Sequence, residues 1–238
     1  MVPEDAPQDQ GISARGPDTT RSPGRSPEAS TGDADPRGPS AHPVRRRRTG
    51  NETFARIYQE SVGLFYEAGY HSATLRRIAN RVGIETPALY NHFPSKERLL
   101  FTIVSRTMHD LIQGARSAVA EGGDPPEQLR RFMEYDVRFH GSRRIEAGVT
   151  DNEFSHLGTE LRERAIGMRD EFQRMLEDIL HRGLEAGSFE TADVKVTAYA
   201  MLTMGSYVAL WYRPGGRLSL DQIARQYAAL ALRMVRAM

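Results

Sequence analysis

The chain has 238 residues, 39% of them apolar, enough to build a core for one or two small domains. It contains no cysteine, which excludes disulfides and thiolate metal sites, and its first fifty residues hold no apolar run of signal-peptide length, so a cytoplasmic location is expected. The net charge of +1 hides an uneven distribution: residues 45–110 carry eleven basic against six acidic groups, residues 1–44 four against seven, and residues 111–238 seventeen against eighteen. A basic middle of this kind is the footprint of a polyanion partner.

Residues 1–44 read as a disordered extension. Eight of the thirteen prolines lie there, and almost no large apolar residue is present to offset the cost of ordering the chain. The run Arg45-Arg46-Arg47-Arg48 closes this segment. It is either an arm lying along DNA phosphates or in the minor groove, or a solvated charge run. From Asn51 to Ala68 the residues Phe54, Ile57, Tyr58, Val62, Phe65 and Ala68 keep a helical period, and Gly69 follows as a stop.

Two short helices come next. Leu75, Ile78, Ala79 and Val82 form one apolar face, Arg76, Arg77 and Arg81 the other, with Thr74 as N-cap and Gly83 as a left-handed end. Thr86 is expected to cap the second helix, with Pro87 in its first position, where no N–H is needed. Leu89 and Phe93 then pack inward, which leaves Ala88, Tyr90, Asn91 and His92 to a partner. Two such helices meeting at a glycine have the spacing of a helix-turn-helix, whose second helix fits a major groove. Ser95 caps a long helix that starts at Lys96 and runs to about Ala120, before Gly122, Gly123, Asp124, Pro125 and Pro126 break the chain; the next helix is expected near Glu127.

The remainder reads as a helical bundle. Leu161, Ala165, Met168, Phe172, Met175 and Ile179 are spaced as the seam of a packed helix pair, and Leu220, Ile223, Tyr227, Leu230 and Met234 repeat that spacing. Two seams point to packing against a second subunit as well as within one. The uncharged segment from Val196 to Tyr212 is at the bottom of the membrane-spanning range, but Thr197, Thr203, Gly205, Ser206 and Tyr207 interrupt it, so no membrane span is expected. A helix buried between a ligand cavity and a dimer partner accounts for it equally.

The segment LYNHFPSKERLL, with IANRVGI before it, resembles the signature of TetR-type transcriptional regulators over residues 50–105. The resemblance implies phosphate contacts from Thr74, Tyr90 and Lys96, and base-facing positions from Thr86 to Asn91. Glu85 and Arg77 depart from the residues common at their places. A second resemblance lies in WYRPGGRLSLDQIARQYAALAL, which is similar to the C-terminal domain of the TetR regulators that include the acyl-CoA-responsive steroid-catabolism repressors.

Together these lines imply an all-α homodimer in three parts: an extension over 1–44, a helix-turn-helix domain over 45–110, and a ligand-binding and dimerisation domain over 111–238. The expected function is repression of transcription at a palindromic operator, released by a small, mainly apolar effector such as an acyl-CoA, in a bacterial, nucleoid-associated setting. The DNA-facing set is Thr74, Thr86, Pro87, Ala88, Tyr90, Asn91, His92 and Lys96. For the effector, Tyr207 or Trp211 supply stacking, with Phe139 beside them, and Arg143, Arg144 or Arg213 hold phosphates if CoA is bound. No cofactor is required. No GxSxG, HExxH, P-loop or GxGxxG motif is present. The nearest thing to a metal site is Glu153 with His156 at i, i+3, joined by His140 or His181, and one such pair is too few for a di-metal bundle. A non-inducible architectural protein and an enzyme with a hidden bundle site are the competing classes.

Overall fold

In the computed structural model, residues 50–235 are described; the expectations for residues 1–44 and for Arg45 to Arg48 lie outside them. All regular elements among the described residues are helical: α1 Gly50–Ser72, α2 Leu75–Val82, α3 Thr86–Tyr90, α4 Lys96–Ala120, α5 Pro125–Ser142, α6 Arg144–Asn152, a 3-10 turn Phe154–His156, α7 Thr159–Glu185, α8 Val194–Ser206, α9 Val208–Trp211 and α10 Leu220–Met234.

The helix-turn-helix forms as the sequence requires. The Thr74 side chain accepts the Arg77 N–H at 3.2 Å, and Gly83 closes α2 at φ 72°, ψ 42°, its N–H donating to Asn80 O and that of Ile84 to Ala79 O. A cap of the Thr74 kind contributes about 1 kcal/mol. The expected Thr86 cap is off by one. Glu85 is the cap residue and its carbonyl accepts from Ala88 and Leu89, which places Thr86 inside the first turn with no capping role. The tight αL end at Gly83 turns the chain so quickly that winding resumes one residue early. The expected stop at Gly69 is a kink, φ 74°, ψ 164°, beyond which one more turn leads to Ser72.

Ile57, Leu64 and Phe65 of α1, Ile78 and Ala79 of α2, Leu89, Phe93, and Leu99, Leu100 and Ile103 of α4 are buried together. Each of the large side chains in this set, Ala79 excepted, contributes roughly 1.5–3 kcal/mol on burial. The same core continues into the C-terminal helices through Leu129, Phe132 and Met133 of α5 and Phe172, Leu176 and Ile179 of α7, with the Phe132 and Phe172 rings 5.0 Å apart. Because α4 runs unbroken through position 110, the boundary expected there falls inside a helix that both halves share. Helix α5 begins two residues before its expected start, since the Asp124 carboxylate accepts the Glu127 N–H at 3.0 Å.

The uncharged segment from Val196 to Tyr212 breaks at Tyr207 into α8 and α9. Among the described residues no helix is long and apolar enough to cross a membrane. Gly205 of α8 lies against Asp136 of α5, where any Cβ would collide with Oδ2, so α8 approaches α5 closely only because residue 205 has no side chain.

Candidate functional site

The outer surface of the helix-turn-helix is presented by α3 and the turn after it. Leu89 and Phe93 are fully or almost fully buried, so Pro87, Tyr90 and Asn91 face outward, with Thr86, Ala88 and His92 half-buried beside them. Thr74 is exposed at the start of α2. Of the three arginines on α2, Arg77 donates to Ser72 O at 2.7 Å and Arg81 to the Glu67 carboxylate at 2.5 Å. That bond raises Arg81 and lowers Glu67 from their ordinary values. Both hold α2 against the end of α1, and Arg76 stays at the exposed face.

Lys96 does something its sequence position did not reveal. Its Nζ donates to Tyr70 O at 2.7 Å and lies 4.0 Å from the centre of the Tyr70 ring. Burial pulls the ammonium below its ordinary value, against the opposing charge of Glu153. A phosphate contact from Lys96 therefore falls to the donors left over from holding α1.

Tyr70 is the centre of a junction between the two halves. Its N–H donates to Glu153 Oε2 at 3.1 Å, His156 stacks on its ring at 4.9 Å, and His71 meets His156 edge-on at 4.4 Å. The His156 Nε2 is 3.3 Å from Glu153 Oε2. The pair weighed as metal ligands is thus turned toward the α1 end, and among the described residues no group of three or more His, Asp or Glu side chains is placed to hold a metal ion. His140 pairs instead with Asp136, Nδ1 to Oδ1 at 3.1 Å, deep in the bundle, and His181 is exposed on α7.

The effector candidates do not converge. Phe139 and Arg143 line a cleft of about 510 Å³ with His109, Gln113, Tyr135 and Arg138. Trp211 and Arg213 line a separate one of about 230 Å³ with Leu218 and Ile223, and Tyr207 lines neither. Arg144 donates to Ala209 O at 2.9 Å, a structural bond that pins α6 to α9. A third cleft, about 640 Å³, was missed by sequence reasoning: it lies between α1, α4 and the α5–α6 corner, with Phe54, Tyr58, Arg106, Asp110 and Arg143 in its wall. Phe54 and Tyr58 carried no signal beyond helical period, which reads as core.

Helix α8 and helix α10 each have two apolar faces. Ala198 and Met201, with Ile223, Ala224, Ala228 and Ala231, are buried in the subunit. Val196 at 65% exposure, Tyr199 at 51%, Tyr207 at 60%, and Leu230 and Met234 at 44% each remain outside it. The expected seam of α10 is thereby divided: Ile223 packs inward, Tyr227 rests near Trp211, and Leu230 and Met234 point away.

Known proteins match this arrangement. Residues 57–103 match the model of bacterial regulatory proteins of the tetR family, and residues 122–235 the tetracyclin repressor-like C-terminal domain. The HTH-type transcriptional repressor KstR2 of Rhodococcus jostii (strain RHA1) is 31% identical over 172 residues, 71% of this chain and 84% of its own. A solved structure of a bacterial regulatory protein in the tetR family from Rhodococcus RHA1 is 27% identical with a TM-score of 0.75, covering 79% of this chain and 98% of that one. The fold is also that of AibR, solved in complex with isovaleryl coenzyme A and operator DNA, at 24% identity and a TM-score of 0.69 over 75% of this chain and 97% of AibR.

Proposed function

The chain belongs to the TetR family, whose members and relatives matched here are transcriptional regulators and not enzymes, and from that premise we propose that this TetR-type repressor is a homodimer released from a palindromic operator by an acyl-CoA or a related small, mainly apolar acid. The observation that carries the reading is the outward apolar face of α8 and α10 in a chain whose α3 stands free for DNA. One α3 covers only a few base pairs, so specific binding requires two, and a twofold protein matches a palindromic site.

Thr86, Pro87, Ala88, Asn91 and His92 face base edges in this reading, while Thr74, Tyr90 and Lys96 set register on phosphates. The acyl-CoA class is supported by the isovaleryl coenzyme A bound to AibR and by clefts of 510 and 640 Å³, of the size that small-molecule sites occupy. Effector binding between α4, α5 and α6 shifts α6, and α6 leads directly into Glu153, whose carboxylate holds the end of α1. The two α3 helices then change separation, and affinity falls.

The test is operator release. DNA selected by the purified protein is labelled, and its anisotropy is followed while isovaleryl-CoA, longer acyl-CoAs, free fatty acids and aromatic drugs are added. Release by acyl-CoAs at micromolar concentration is the expected result; release by drugs alone, or by nothing, overturns the effector class. For useful control the effector must favour the DNA-incompetent state by roughly 1–3 kcal/mol, and operator must weaken effector binding by the same factor.

A further inference from the structure

Arg106 projects from α4 across the 640 Å³ cleft, with its guanidinium carbon 5.3 Å from the centre of the Phe54 ring and 5.5 Å from that of Tyr58. At these distances the charge lies in cation–π range of both rings, and a guanidinium so placed keeps N–H donors for a further partner. Among the described residues no carboxylate pairs with Arg106. Across the cleft, Arg143 Nη1 is 2.6 Å from Asp110 Oδ2, a pair with side chains 41% and 47% exposed. This ion pair stands in the walls of both larger clefts, and Glu146 adds a second carboxylate to the wall of the 640 Å³ one, so an anion there is held by the two guanidinium groups against two acids. Exposed pairs of this kind contribute little, so Arg143 exchanges Asp110 for another anion at small cost.

We propose that this cleft is the subsite for the anionic end of the effector: a carboxylate or phosphate held by Arg106 and Arg143, with its attached acyl or aromatic body lying against Phe54 and Tyr58. The proposal rests on the effector reading above, gives it a place, and adds a second route beside the one through α6 and Glu153. The Phe54 ring is 5.2 Å from that of Phe93, the buried residue that ends the turn after α3. An occupant that draws Arg106 off Phe54 thus acts on the contact that seats the DNA-reading helix, without passing through the bundle core.

Because the chain has no cysteine, Gln59→Cys introduces a single thiol at the cleft wall for an environment-sensitive bimane label. The full-length labelled dimer is titrated with octanoate, benzoate, free coenzyme A and octanoyl-CoA, and operator anisotropy is read on the same samples. A saturable bimane response is expected for at least one of these anions. Arg106→Ala weakens it at least 10-fold, and Asp110→Asn, which frees Arg143, strengthens it about 3-fold or more, a gain that misfolding does not produce. No saturable response, or one indifferent to both substitutions, overturns the subsite. Operator release by octanoyl-CoA with a silent label sinks the subsite and leaves the effector class standing; a cleft response with unchanged operator binding does the reverse.

Discussion

Glu153 Oε2 accepts the backbone N–H of Tyr70 at 3.1 Å, a bond between residues 83 positions apart that ties the regulatory helices to the end of α1. The kink at Gly69 makes it possible, since a straight helix bonds that N–H internally. His156, stacked on Tyr70, keeps the carboxylate in place from the other side.

Removing this carboxylate separates coupling from DNA reading. Glu153→Ala leaves the part-buried Tyr70 N–H without its partner, at an expected cost of about 1–3 kcal/mol in denaturant unfolding. The variant still binds operator, but the ratio of operator affinities with and without effector falls toward one. An intact ratio in a destabilised variant assigns Glu153 to stability alone.

Substitutions on the DNA-facing surface divide by what they touch. Tyr90→Ala weakens binding to every sequence alike, whereas changes at Thr86 or Asn91 alter the preferred operator by about 1–3 kcal/mol per lost base contact. Lys96→Ala combines two effects: a lower salt slope, by about 0.9 for one phosphate, and lower stability from the lost bond to Tyr70 O. Replacing Arg45 to Arg48 with serine lowers the slope by about 3 to 4 if all four meet phosphates. Affinity measured against salt on matched and random DNA checks each assignment.

The difference between what was legible in the sequence and what was not follows from the range of the interactions. Caps and turns are local, so Thr74, Gly83, Ser95 and the buried Leu89 and Phe93 were readable from a few neighbours. Thr86 failed by one residue because the competing signal, the Gly83 turn, fixes where winding resumes. The Tyr70 junction and the Arg106 cleft join residues from three or more elements, and nothing near them in the chain marks the meeting. Period alone also cannot say which of two apolar faces is inside, as α10 shows: Ile223 is buried and Leu230, on the same seam, is not.

The outward face of α8 and α10 supplies a test of assembly. Leu230→Glu and Tyr199→Glu introduce charge at exposed positions, so the subunit tolerates them, while a dimer buried there does not. Both variants are expected to sediment as monomers with native helical content and to lose specific operator binding. A wild-type monomer that grips its operator tightly defeats the dimer reading.

The last expectation concerns pH. Burial pulls His140 down, but the Asp136 carboxylate, with Oδ1 3.1 Å from Nδ1, outweighs it and holds the imidazole at about 9, above its ordinary 6.5. A group whose pKa is raised on folding stabilises most when both states would carry the proton, below about pH 6.5, and loses that contribution as pH climbs through 9. The shift corresponds to about 3 kcal/mol across that window, at 1.36 kcal/mol per unit. Stability from urea titrations is therefore expected to fall between pH 6.5 and 9. In His140→Phe the fall is absent, although the variant is less stable throughout, because Asp136 is 1% exposed and its charge is then buried without a partner. A His140→Phe variant with the wild-type pH dependence would place the titrating group elsewhere.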